Sequence, residues 1–265
     1  MANPLSQQIS DLLGAPVSAL SPLHGGDLSK IYRVTLASGQ DVVAKSGPLV
    51  GVEAQMLAAI AATGCPAPRV LATTATLIIM EYLPEGPPDW AGLGRALKRL
   101  HSATGAGYSW SSDYAFGSVA IPNTAAPDWP TFWAERRLLA APHALPHDIA
   151  QRVEHLSQRL PDLLPHHPPA ALLHGDLWAG NIHFTPTGPA LIDPASYHGH
   201  TEVDLAMLHL FATPGPGFYE TYGPTTPEER ERRPIYQLWP ALVHLRLFGA
   251  AYRSMVENLL CDAGS

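Results

Sequence analysis

His174-Gly175-Asp176-Leu177-Trp178-Ala179-Gly180-Asn181, with Leu191-Ile192-Asp193-Pro194 following it, carries more chemistry than any other part of the chain. It presents a carboxylate, an amide five positions on, and a second carboxylate at the end of a short apolar run. One tight loop thus offers a proton acceptor and a hard oxygen ligand, and the next strand offers another such ligand. Those are the parts needed to deprotonate a hydroxyl beside a divalent cation held on phosphate oxygens. Each residue alone has a commonplace structural explanation: an Asp at a strand end is usually a turn residue, and a lone His is usually a core hydrogen-bonder. Their order and their company point to a site instead.

Upstream, Ile31-Tyr32-Arg33-Val34-Thr35-Leu36, the turn Ser38-Gly39-Gln40 and Asp41-Val42-Val43-Ala44-Lys45 read as a β-hairpin ending in a lysine. Only Lys30, Lys45 and Lys98 occur among sixteen basic residues, so a lysine at that strand end is hard to dismiss as surface decoration. Asp176 with Asn181, then Asp193, matches the spacing H-R-D-x-x-x-x-N followed by D-F-G, and Val43-Ala44-Lys45 is close to V-A-I-K. Lys45 is expected to reach phosphates and Glu53, in the first turn of a helix over 52–62, to pair with it. Gly25-Gly26, ahead of the hairpin, reads as a loop whose bare amides cover phosphates. Val70-Leu71-Ala72 and Thr76–Tyr82 read as two more strands. Met80-Glu81-Tyr82-Leu83 then meets the break Pro84-Glu85-Gly86-Pro87-Pro88, so Glu81 and Leu83 are expected to offer backbone groups to a nucleotide base.

Beyond residue 90 the apolar spacing turns helical, with Leu93, Ala96, Leu97 and Leu100 on one face. Residues 105–128 read as loop-rich, and helices are expected over 129–140, 148–160, 203–211 and 238–260. The runs Ala171–His174 and Ala190–Asp193 are expected to pair as a small β-ribbon. The fold class is therefore α+β and bilobal. A small β-rich lobe spans 1–83, with the crossing near 81–84, and a larger, mainly helical lobe spans 84–265.

The 265 residues carry a formal net charge of −7, which argues against nucleic acid as a partner. A hydrophobic share of 46% and a charged share of 15% are enough for a packed core without disorder. No apolar run is long enough to span a bilayer, and no secretory signal is visible at the N-terminus. Two cysteines, Cys65 and Cys261, make no disulfide framework. The expectation is a cytoplasmic protein.

With these motifs in place, the chain resembles the fructosamine kinase (ketosamine-3-kinase) family, a branch of the protein-kinase-like superfamily beside aminoglycoside phosphotransferases and choline kinases. The likeness rests on Leu173–Asn181, close to the family's H-G-D-L-W-S-G-N. It rests also on Ile192-Asp193-Pro194-Ala195, Glu202-Val203-Asp204-Leu205-Ala206-Met207 and Trp129–Leu138. Gly25-Gly26-Asp27-Leu28-Ser29 departs from the usual G-G-C/S-I-N. The resemblance implies transfer of the ATP γ-phosphate to a sugar hydroxyl of a ketosamine, with Mg²⁺. Asp176 would be the catalytic base, Asn181 and Asp193 the metal ligands, Lys45 with Glu53 the phosphate grip, and Trp178 a substrate contact. Asp204 would be structural. The acceptor would be a small sugar-amine or a glycated protein. A kinase for a related small alcohol, an aminoglycoside or choline, and a non-catalytic nucleotide-binding protein, stay open at this point.

Overall fold

In the computed structural model, residues 3–23 and 30–265 are described; Gly25 and Gly26 lie outside them. Helix α1 (Pro4–Leu13) opens the chain, capped by Asn3 at one end and by Gly14 in a left-handed conformation at the other. A five-stranded antiparallel sheet follows, made of β1 (Val17–Pro22), β2 (Lys30–Leu36), β3 (Asp41–Ser46), β4 (Val70–Thr73) and β5 (Leu77–Glu81), in the order β1-β2-β3-β5-β4. Helix α2 (Val50–Ala62) connects β3 to β4.

Side-chain alternation explains why this sheet is covered on both faces. Val34, Leu36, Val42, Ala44, Leu77 and Ile79 pack with Ile9 of α1. Ile78 and Met80 point the other way and pack with Val50, Ala54 and Leu57 of α2. β5 is thus buried on both faces, which is why Leu77-Ile78-Ile79-Met80 is an unbroken apolar run. On β3 the same alternation, with Val42 and Ala44 on the α1 side, turns Lys45 toward α2.

The remainder is helix-rich. Helix α3 (Trp90–Ser102) is capped by Asp89, whose side chain accepts from Gly92 N at 2.7 Å. A short hairpin, β6 (Tyr114–Phe116) with β7 (Val119–Ile121), occupies the region expected to be loop. The helix expected over 129–140 is in fact α4 (Trp129–Trp133), running into a π-helical turn at Ala134–Leu138. Helix α5 (His147–Leu163) follows. Ala171–Leu172 (β8) and Gly188–Leu191 (β10) do not pair with each other as expected. β10 pairs with β9 (Ile182–Thr185), and β8 with β11 (His198–Gly199). β10 took the strand just before it across a tight turn, whereas β8 pairs with a strand more than twenty positions further along the chain. Helices α6 (Glu202–Leu208) and α7 (Phe218–Tyr222) come next. α8 (Pro227–Phe248) starts well before Leu238 and stops at Gly249, and α9 (Arg253–Asp262) ends the fold. No helix among the described residues is long and apolar enough to cross a membrane. Cys65 is buried and Cys261 exposed, and both are free thiols.

Two apolar clusters organise this half. In one, Leu93, Ala96, Leu97 and Leu100 of α3 pack against Leu172, Leu177, Ile182 and Leu191. α3 is therefore the floor on which the Asp176 loop is laid, with Leu177 as its plug. The other is centred on Trp129, fully buried and stacked on Phe132 with centroids 5.5 Å apart; its indole N–H donates to Tyr236 at 2.9 Å. Trp129→Ala is expected to lower unfolding free energy by about 3–5 kcal/mol, and Trp129→Phe by clearly less, in urea titrations. Equal losses for both would mean that the cavity is not what destabilises.

Candidate active site

Lys45 projects from the end of β3 into a nearly closed space, and only 6% of it is exposed. Its ammonium lies 2.8 Å from Glu53 Oε1, 2.7 Å from Glu53 Oε2 and 2.8 Å from Asp193 Oδ1. Glu53 sits in the first turn of α2, so the face of β3 that meets α2 sets the first contact. The second crosses 148 positions of sequence. Burial works against the lysine's charge, but Glu53 and then Asp193 outweigh it, and the ammonium titrates above its ordinary value.

Asp193 follows β10 closely and has φ 52°, the one non-glycine residue among those described with positive φ. That conformation costs an ordinary residue on the order of 1 kcal/mol, and Asp tolerates it better than most. It aims the carboxylate back at Lys45 while leaving it about a third exposed.

The Asp176 loop is fixed from below by Asp204, which is fully buried in α6. The Asp204 carboxylate accepts from His174 N at 2.7 Å and Gly175 N at 2.9 Å, with His101 Nε2 at 3.1 Å. Burial pushes this carboxyl up, but hydrogen bonding and charge from His101 outweigh it, and the group stays below the usual carboxylate range. His174 Nε2 donates to the Ile192 carbonyl at 2.9 Å, which leaves Nδ1 to accept from Asp176 N at 3.3 Å. Burial also lowers the His174 pKa, so the ring is neutral. Gly175 has φ 82°, and a Cβ there would stand 2.1 Å from the Ala195 carbonyl oxygen. The arginine of the H-R-D pattern cannot occupy this backbone.

Asn181 ties the loop to itself. Its Nδ2 donates to Asp176 O at 2.7 Å and to Asp176 Oδ2 at 2.9 Å. Among the described residues its Oδ1 has no hydrogen-bond partner, so an acceptor oxygen remains beside the Asp176 carboxylate. Asp176 is half-buried and still touches solvent, yet protein surrounds it closely. That burial raises its pKa to about 7; Asn181 opposes the shift, while Asp193 and Asp204 add to it. Trp178, 41% exposed, lies over Gly180, where a Cβ would meet the indole at 2.3 Å.

The structure thus brings Lys45, Glu53, Asp176, Asn181 and Asp193 into one connected cluster, with Trp178 at its rim. Glu81 and Leu83 lie elsewhere, at the end of β5 and just beyond. The Leu83 carbonyl is already occupied by His183 Nε2 at 2.9 Å, so only its N–H is without a partner among the described residues. Three residues of the region were not singled out from sequence: His101, His183 and Tyr114. The Tyr114 phenol, on β6, is raised in pKa by burial and then by the charge of Glu53, with Asp193 and Asp176 also contributing. It therefore neighbours the same cluster, although nothing in the 105–128 segment signalled it.

The donors suit a hard cation. All are carboxylate or amide oxygens, and among the described residues no group of three His, Cys, Asp or Glu side chains could hold a metal by itself. Magnesium habitually takes one or two protein oxygens and completes its shell with water and phosphate, which is what Asn181 and Asp193 would provide.

Comparison with known proteins agrees with this architecture. A family model described as fructosamine kinase matches residues 1–263. The chain belongs to the fructosamine kinase family. It is thereby a phosphotransferase with a hydroxyl acceptor. A probable ketoamine kinase of Thermus thermophilus is 39% identical over 241 residues, covering 87% of this chain and 88% of the relative. A Thermobifida fusca crystal structure, provisionally assigned as a fructosamine-3-kinase, superposes with a TM-score of 0.88 at 32% identity, covering 99% of both chains. An amicoumacin kinase solved in complex with AMP-PNP, Ca²⁺ and Ami superposes with a TM-score of 0.66 at 15% identity over 99% of this chain and 93% of that one. The fold is the bilobal protein-kinase-like fold.

The raised Asp176 pKa has a consequence for stability. The folded protein holds this proton more tightly than the unfolded chain does. The group's favourable contribution is complete below its unfolded value of about 3.9 and is lost as pH rises through about 7. Asp176→Asn is therefore expected to melt above the wild type at alkaline pH, with the gap closing as the medium is acidified toward pH 5. A gap independent of pH would show that Asp176 ionises freely.

Proposed function

We propose that this protein transfers the γ-phosphate of ATP to a sugar hydroxyl of a ketosamine, and that the reaction belongs to cytoplasmic repair of glycated amines. The single observation carrying this reading is the Lys45 ammonium held between Glu53 and Asp193, within the same cluster as Asp176 and Asn181. A buried lysine with two carboxylates is poised to exchange part of that contact for phosphate oxygens. The names of the relatives supply the acceptor class, and the nucleotide analogue and Ca²⁺ in the amicoumacin kinase supply the precedent for a nucleotide and a divalent cation.

Each residue then has a task. Asp176 accepts the proton of the attacking hydroxyl, and Asn181 Nδ2 fixes the rotamer of that carboxylate. Lys45 orients the phosphates and Glu53 orients Lys45. Asn181 Oδ1 and Asp193 would hold magnesium, which when bound neutralises charge on the β- and γ-phosphates. The segment Glu81–Pro84 is the hinge between lobes, where the Glu81 carbonyl and Leu83 N–H face the base. Gly25 and Gly26 are assigned the phosphate cover on sequence alone. Trp178 packs on the acceptor sugar. Phosphate placed on the third sugar carbon makes the adduct decompose and free its amine, whether the adduct is a small molecule or a glycated protein.

ADP release with fructosamine, ribulosamine, aminoglycoside and choline acceptors tests this directly. Turnover is expected with the ketosamines. Asp176→Ala is expected to lower kcat by about 10²–10⁴-fold, while nucleotide binding by calorimetry stays within about threefold. Unchanged turnover in that variant would remove Asp176 from the chemistry.

A further inference from the structure

Five large apolar side chains are exposed among the described residues, and three of them, Trp178, Phe211 and Phe248, belong to one continuous band of rings. The Trp178 ring meets Phe211 edge-on at 6.4 Å, Phe211 meets His244 edge-on at 5.2 Å, and His244 lies 5.5 Å from Phe248 and 4.9 Å from Tyr252. Phe248 and Tyr252 close the band at 5.8 Å. His244 and Phe248 are one helical turn apart on α8, and Tyr252 lies one turn further on, past the Gly249 break, so these rings stack along one face. His244 is fixed in orientation: its Nδ1 can only donate to the Pro240 carbonyl, at 2.7 Å. Its Nε2 then carries a lone pair with no partner among the described residues.

The band starts at Trp178, two residues along the chain from Asp176, and runs through Phe211 onto α8. An acceptor whose hydroxyl faces Asp176 must lay the rest of itself somewhere, and the rings form a ready apolar platform there. We propose that the amine-bearing half of the acceptor lies along Phe211, His244, Phe248 and Tyr252, so that these residues select the carrier of the sugar rather than the sugar. This rests on the ketosamine reading above. The chemistry is complementary: the linking nitrogen of a ketosamine is a secondary ammonium, which aromatic faces attract and which the His244 Nε2 lone pair can accept a hydrogen bond from. The band itself carries no cationic side chain, and the protein's net charge is −7. Carriers with an aromatic or long aliphatic substituent gain the most from such a surface; a bare amine gains nothing beyond Phe211 and His244.

The test compares unsubstituted fructosamine with N-benzyl fructosamine, in the wild type and in Phe248→Ser and Tyr252→Ser. Phe248 is nearly half exposed, so its replacement leaves the core intact. In the wild type, kcat/KM is expected to favour the benzyl acceptor by about tenfold, most of which disappears in the variants, while turnover of the unsubstituted acceptor changes less than about twofold. Equal kcat/KM for both acceptors in the wild type, or equal loss on both in the variants, overturns the proposal. If no ketosamine is turned over, the proposed function fails separately and the band is read by saturation-transfer NMR with benzylamine. Contacts present in the wild type and absent in Phe248→Ser support it, and no contact overturns it. Self-association on sedimentation that Phe248→Ser abolishes would assign the band to a second copy and likewise overturn it.

Discussion

The ammonium of Lys45 is where the two halves of the molecule hold each other. Glu53 grips it from the helix that follows its own strand, and Asp193 grips it from 148 positions further along the sequence. Removing ions from water costs several kcal/mol each, so a buried trio of this kind is poor evidence for stability by itself. Its value lies in geometry. One cation with two carboxylates fixes the distance between the sheet and the Asp176 loop, and it keeps a positive charge almost wholly out of solvent. Every other feature of the site can be described by what it does to hold that arrangement in place.

Rigidity comes from backbone that only certain residues can adopt. Gly175 turns the loop where any side chain would strike the Ala195 carbonyl, and Asp204 gathers the two amides freed by that turn. Asp193 accepts a left-handed conformation and so turns its carboxylate across to the other lobe. Behind them, α3 supplies a plain apolar floor through Leu93, Leu97 and Leu100. Strain at the site is thus balanced by packing and hydrogen bonding one layer down, the usual location for strain that serves function.

Much of this could be read from sequence because the chemistry is local. The loop containing Asp176 and Asn181 brings its own partners within five residues, and Lys45 stands on a strand whose alternation is plain in Val42-Val43-Ala44. The unbroken apolar run of β5 and the helical spacing of α3 were equally legible. What could not be read depended on pairing between distant segments. β8 and β10 are so short that nothing in their composition chose between each other and the partners they took. The β6–β7 hairpin has three-residue strands among glycines and prolines, so Tyr114 gave no sign of its approach to the charged cluster. The π-helical turn after Trp133 looks like ordinary helix in sequence, since the wider turn alters only the hydrogen-bond step. His183 capturing the Leu83 carbonyl is a contact across 100 positions that no spacing rule predicts.

The central claim is that Lys45 and Glu53 stand or fall together. A double-mutant cycle on unfolding free energy with Lys45→Met and Glu53→Met measures this directly. Lys45→Met alone leaves the Glu53 carboxylate buried without its counter-charge and is expected to cost about 3–5 kcal/mol, whereas the double variant recovers at least half of that loss. Losses that simply add would mean that the two side chains do not depend on each other, and the account of the site built on their contact would be wrong.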